Sequence, residues 1–232
     1  MFDFIYLFGT LLFMSTCYSL SMYMLSVRIL GEKVNKKSAV LYCSIYFGIQ
    51  VIANFFLIQG FFEDESFLIN WNIYLYTLHV VILIFLLLWT YRQNTIRTIA
   101  AAALAHFVVF TIGSLAEEVL ASYVPEMENF YLYGMLVSVL PHTIMMVCSL
   151  LIALLLRKLE FDRYFEVLFT SRLRAVITLT VSLLLMHIHT IIRLLIPVKR
   201  VSMLTASYSI VLIVLALFFC SLQQCIMPQR NE

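Results

Sequence analysis

Apolar residues fill seven stretches of the chain, 4–27, 39–60, 71–91, 98–121, 132–156, 175–197 and 203–226, and charge is largely confined to the short segments between them. About 20 mostly apolar residues carry an α-helix across the hydrocarbon of a bilayer, so each stretch predicts one span. The alternating pattern of a barrel strand is absent. Lipid offers no hydrogen bonds, so every backbone group must pair within its own segment, as it does in a helix. The pattern predicts an all-α fold: a polytopic transmembrane helical bundle of about seven spans, with residues 1–232 forming a single domain. The first stretch has no basic segment before it and no small-residue cleavage site, so it reads as a retained helix rather than a cleaved signal peptide.

The polar segments supply an orientation. Basic residues collect on the cytoplasmic side of a membrane protein. Arg28, Lys33, Lys36 and Lys37 fall in 28–38, and Arg92 and Arg97 in 92–97. Arg157, Lys158, Arg163, Arg172 and Arg174 fall in 157–174, and Arg230 lies in the tail. These alternate segments hold 12 of the 15 basic residues. The opposite segments carry the acids Glu63, Asp64, Glu65, Glu126 and Glu128. The expectation is an N-terminus outside and a C-terminus inside. Trp71, Trp89, Tyr91, Tyr123, Tyr131 and Tyr133 then lie near the interfaces that amphipathic rings prefer. The connection 157–174, RKLEFDRYFEVLFTSRLR, mixes charge with Phe, Tyr and Leu and reads as an amphipathic helix along the inner headgroup layer.

Composition agrees with this picture. Hydrophobic residues make up 63% of the 232, the mean hydropathy is +0.98, and charged residues amount to 12%, where a soluble domain carries about a quarter. A net charge of +2 gives no footprint for nucleic acid. The five cysteines lie in or beside apolar stretches, so no disulfide framework is expected. No spacing fits a metal site, and nothing calls for a cofactor.

Candidate chemistry comes from polar side chains inside the spans, each costing roughly 2.5–3.5 kcal/mol if ionisable and unpartnered. The orientation puts Glu117 and Glu118 at the outer end of the fourth span. It puts His187, His189 and Arg193 in the outer half of the sixth, and Asn54 in the outer part of the second. His79 and His142 fall in the outer half or near the middle of the third and fifth. Thr205, Ser207 and Tyr208 open the seventh on the outer side, and His106 alone falls in the inner half. This bias suggests an outward-facing polar cavity in which Glu117 or Glu118 pairs with Arg193. The bland alternative has these groups snorkelling to water at the interface. His142, next to Pro141, has a further bland reading as a structural polar filler.

Three functions fit such a cavity: a receptor, a small-solute transporter, or an intramembrane hydrolase using Glu117 or Glu118. The pair in SLAEEVLAS invites comparison with intramembrane proteases of the CAAX-processing type. Their EExxxR pattern fails here at Ser122, and Arg193 in HTIIR stands where a small polar partner belongs. Transporters often show internal repeats and broken helices, and no repeat is visible.

The order of elements resembles the membrane sensor half of the peptide-pheromone receptor histidine kinases of Gram-positive bacteria, the AgrC and ComD type. The resemblance covers nearly all 232 residues and rests on architecture. Short loops join Phe/Tyr/Ile/Leu-rich spans. The charged connection LLLRKLEFDRYFEVLFTSRLR at 154–174 follows the fifth span, VSLLLMHIHTIIRLL at 181–195 comes next, and a last span points inward. No phospho-accepting His box or Gly-rich ATP motif occurs within the sequence, so the resemblance implies a sensor without enzymatic activity, serving a cytoplasmic kinase module if the chain is cut from a longer receptor. It further implies a bacterial plasma-membrane protein that acts as a homodimer in quorum-sensing signal transduction. Its ligand would be an extracellular, cationic peptide, met by Glu63, Asp64, Glu65, Trp71, His79, Glu117, Glu118, Tyr123, Glu126, His142, His189 and Arg193.

Overall fold

The structure, a computed structural model, describes residues 2–58, 65–123, 138–159, 161 and 165, with side chains over most of that range. The described elements are helices: α1 (Phe2–Ile29), α2 (Lys36–Ile58), α3 (Glu65–Tyr91), α4 (Thr95–Tyr123) and α5 (Leu140–Lys158). The stretches Phe8–Ile29, Thr95–Glu117 and Leu140–Lys158 are each long and apolar enough to cross a membrane, and Leu78–Tyr91 is a shorter apolar stretch. That combination of length and composition marks a membrane protein. The expected spans 175–197 and 203–226, residues 132–137 of the fifth, and nearly all of 157–174 lie outside the described residues.

Each of the first four helices begins before the apolar stretch that announces it, and polar residues mark several of the helix ends. Gly31 adopts φ 77°, the left-handed conformation that ends many helices. Its N–H donates to the Arg28 carbonyl, and that of Glu32 donates to the Val27 carbonyl, both at 3.0 Å. Asn35 then opens α2, its Oδ1 accepting from the N–H groups of Lys37 at 3.1 Å and Ser38 at 3.3 Å. Asn94 does the same for α4 through the N–H of Ile96 at 2.9 Å. Such caps satisfy donors that the first helical turn leaves bare. Arg92 closes α3 with φ 52°, its N–H donating to the Leu88 carbonyl at 3.0 Å. Pro141 lies in the first turn of α5, where its missing N–H costs nothing. Ahead of it, Ser138 and Val139 take the wider π-type turn.

Short turns make α1/α2 and α3/α4 antiparallel, and the two turns touch. Gln93 donates to the Glu32 carboxylate, and Arg97 Nη2 donates to the Leu30 carbonyl at 3.3 Å. Both turns therefore lie at one end of the bundle, here termed the turn end. α1 is the hub: α2, α4 and α5 pack against it, α3 joins α2 to α4, and α5 also lies on α4. Burial explains the arrangement. From Cys17 to Leu30 most of α1 is shielded on every side, which is the mark of a central helix. Ser15, Ser19, Ser21 and Ser26 supply small buried positions there, and Ala100, Ala101, Ala102 and Ala105 supply them on α4. Small residues let backbones approach closely, the main route to helix association in lipid. Gly113 of α4 faces Met145 of α5 in the same way: a Cβ there would stand 3.0 Å from the Met145 sulfur. The buried hydroxyls cost little, since Ser19, Ser21 and Ser26 donate to carbonyls one turn back at 2.7–2.8 Å.

Beyond α5, Phe165 is fully buried in the same core, with Phe161 packed against it and the rings 6.3 Å apart. Both residues are helical.

Candidate functional site

Four helices bring hydrogen-bonding and aromatic side chains to one level. Tyr18 on α1, Tyr46 on α2, His79 on α3 and His106 on α4 each stand ten to twelve residues from the turn end of their helix. At 1.5 Å per residue that is about 15–18 Å, half the thickness of a bilayer's hydrocarbon layer. Tyr18 Oη and His106 Nδ1 are 2.8 Å apart, joining α1 to α4. The His79 ring stacks on Tyr46 at 3.7 Å, joining α3 to α2. The Tyr18 and Tyr46 rings, 5.4 Å apart, join the two pairs. Gln50 reaches Tyr46 Oη and His79 Nε2, both at 3.4 Å. These last distances are long, so stacking, more than hydrogen bonding, fixes the His79 ring. His79 is 1% exposed, and its Nδ1 has no hydrogen-bond partner among the described residues.

From this level a line of tyrosines descends to the turn end. Tyr42 Oη donates to the His79 carbonyl at 3.4 Å, and its ring lies 6.3 Å from Tyr46 and 6.5 Å from Tyr23. Tyr23 is fully buried. Its O–H points at the Asn35 carbonyl at 3.2 Å and at Tyr91 Oη at 3.0 Å. Tyr91 Oη donates to the Lys33 carbonyl at 2.8 Å and accepts from the Asn35 N–H at 3.1 Å. Ser38 and Thr90 hydroxyls meet beside it at 2.9 Å. The turn between α1 and α2 is thereby tied to the middle of the bundle through residues of three helices. Tyr residues suit this position: a large ring packs in the apolar interior, and the oxygen reaches a backbone group.

The residues predicted from sequence divide between this cluster and the far end. His79 belongs to the mid-bundle cluster, with His106 at the same level on the neighbouring helix. Glu117 stands eleven residues along α4 from His106, about 16 Å, so it shares no site with that ring. His142 Nδ1 lies 2.8 Å from the Ser138 carbonyl and donates to it, which serves the irregular turn before Pro141 as a polar filler would. Glu65 and Trp71 lie in the first two turns of α3, and Glu118 and Tyr123 lie near the end of α4, with their side chains outside the described set. Glu63, Asp64, Glu126, His189 and Arg193 lie outside the described residues.

The tyrosines were the residues that sequence reading missed. Tyr18, Tyr42 and Tyr46 fall at spacings of four or within one apolar stretch and read there as ordinary packing. The available signal was that Tyr42, Tyr46 and Gln50 recur every four residues along one face of α2. Among the described residues no three His, Cys, Asp or Glu side chains converge as metal ligands, and Cys17, Cys43 and Cys148 are unbridged thiols. The arrangement holds four helices in a fixed relation, and a shift of any one must break a specific contact. No protein-family profile, curated protein or solved structure matches the chain.

Proposed function

We propose that the chain is the membrane sensor domain of a receptor for an extracellular, cationic peptide. In this reading seven helices span the membrane, the turn end faces the cytoplasm and the acidic segments face outside. The observation that carries it is the continuous line of contacts from His79 and His106 at mid-bundle through Tyr46, Tyr42 and Tyr23 to Tyr91 and the 33–35 turn. A receptor must convert a change at one surface into a change at the other, and that takes an element with discrete arrangements which the ligand biases.

Alternating topology supports the outer half of the reading. With α4 running outward and α5 inward, the Gly113–Met145 contact brings Glu117 level with Pro141 and His142. In this reading two of the predicted site residues stand at one level toward the outer surface, on helices that pack directly against one another. Peptide bound there would press on α4 and α5, and both lean on the hub helix α1. Acidic loops would steer a cationic ligand, within a Debye length of about 10 Å at 0.1 M salt.

The test is saturable binding of a labelled cationic peptide, drawn from culture supernatants, to the chain in nanodiscs. Binding should weaken at least tenfold when Glu63, Asp64 and Glu65 are replaced by Gln, Asn and Gln, and when Glu117→Gln is made. Solute counterflow in proteoliposomes without specific peptide binding would make the chain a transporter instead.

A further inference from the structure

We propose that the turn end of the bundle is a binding surface for anionic phospholipids, which it holds by headgroup and acyl chain together. The proposal rests on the membrane orientation above but not on the peptide. On three helices an exposed cation stands one helical turn from an exposed apolar side chain. On α2, Lys36 precedes Val40; on α5, Leu154 precedes Lys158; on α3, Trp89 stands one turn before Arg92. Residues four apart on a helix are surface neighbours, so the first two pairs each present a charge beside an apolar patch. Val40 is 65% exposed and Trp89 75% exposed, the first near the start of α2 and the second in the last turn of α3, both at the turn end, where acyl chains meet headgroups.

Among the described residues at this end, cations outnumber carboxylates. The one carboxylate among them is Glu32, and Gln93 already donates to it. Lys36 also stands in the first turn of α2, where the helix dipole opposes a positive charge. An acidic cytoplasmic protein would use the cations but not the apolar neighbours, whereas a phosphatidylglycerol molecule uses both. Basic clusters next to membrane spans attract anionic headgroups, each cation strengthening the association about fivefold.

The experiment is native mass spectrometry of the full chain released from vesicles of phosphatidylcholine with one quarter phosphatidylglycerol. The wild-type chain should retain phosphatidylglycerol in preference to phosphatidylcholine. The triple variant K36Q/R92Q/K158Q should retain it at least tenfold less. Trp89→Gln, which leaves every charge in place and alters an exposed side chain, should lower retention severalfold. Equal retention by wild type and triple variant would overturn the proposal. So would equal competition by soluble glycerol phosphate or polyglutamate, which would assign the surface to soluble anions or an acidic protein. A chain that retains the lipid yet binds no peptide keeps this proposal and loses the receptor reading.

Discussion

Replacing Tyr18 by Phe removes one oxygen from the middle of the bundle and leaves the ring in place. The 5.4 Å contact with Tyr46 survives, and the 2.8 Å bond to His106 Nδ1 is lost. His106 is almost fully buried, so water does not replace the partner. Hydrogen bonds between membrane helices contribute about 0.6 kcal/mol on average and up to about 1.7. Leaving a buried polar atom unpaired costs about 1–3 kcal/mol. The Tyr18–His106 pair joins the hub helix to α4 at a fully packed site, so the upper part of the first range applies. Tyr18→Phe should destabilise the chain by about 1–1.5 kcal/mol. Reversible unfolding from bicelles by sodium dodecyl sulfate, followed by tryptophan fluorescence, measures it. A double-mutant cycle with His106→Leu isolates the pair and should return a coupling above about 0.6 kcal/mol. A coupling near zero, with Tyr18→Phe indistinguishable from wild type, would refute the assignment of this bond as a tie between α1 and α4.

Four further substitutions, at three positions, probe the packing in the same assay. Arg92→Gly should stabilise by roughly 0.5–1 kcal/mol, because φ 52° strains a side chain and suits glycine. Ser149→Ala should be neutral or stabilising by about 1 kcal/mol, since the buried Ser149 hydroxyl has no hydrogen-bond partner among the described residues and its removal relieves a desolvation cost. Gly113→Ala should be tolerated within about 0.5 kcal/mol, as helix propensity offsets a small displacement of Met145. Gly113→Leu should cost about 2 kcal/mol by forcing α4 and α5 apart.

Much of the helical layout was legible in the residues because membrane spans obey a length rule. Each of the first four apolar stretches falls within a helix, apart from the two residues at the end of 39–60, which lie outside the described set. Their true ends were hidden because capping is polar: α3 begins at Glu65, six residues before the apolar stretch at 71. That offset matters for depth. Measured on the apolar stretches, His79 and His106 fall on opposite sides of the middle. Measured on the helices, they stand level. Apolar patterning gives a side chain a depth and a face but not a neighbour, so the pairing of Tyr18 with His106, and of Tyr46 with His79, had no sequence signature. Pro141 was legible as a disturbance, and it lies where a π-type turn meets α5. Most of 157–174, expected as an amphipathic connection, lies outside the described residues. Glu63, Asp64, Glu126, Glu128 and the last two expected spans lie outside the described residues.

Orientation underlies the receptor reading and the lipid surface alike, and thiol labelling of intact cells tests it most directly. In a chain freed of its native cysteines, Glu63→Cys places a thiol in the acidic segment before α3 and Lys33→Cys places one at the turn end. A membrane-impermeant maleimide added outside should label the Glu63→Cys chain and should reach the Lys33→Cys chain only after permeabilisation. Labelling of Lys33→Cys in intact cells, with Glu63→Cys protected, would invert the bundle and contradict the account.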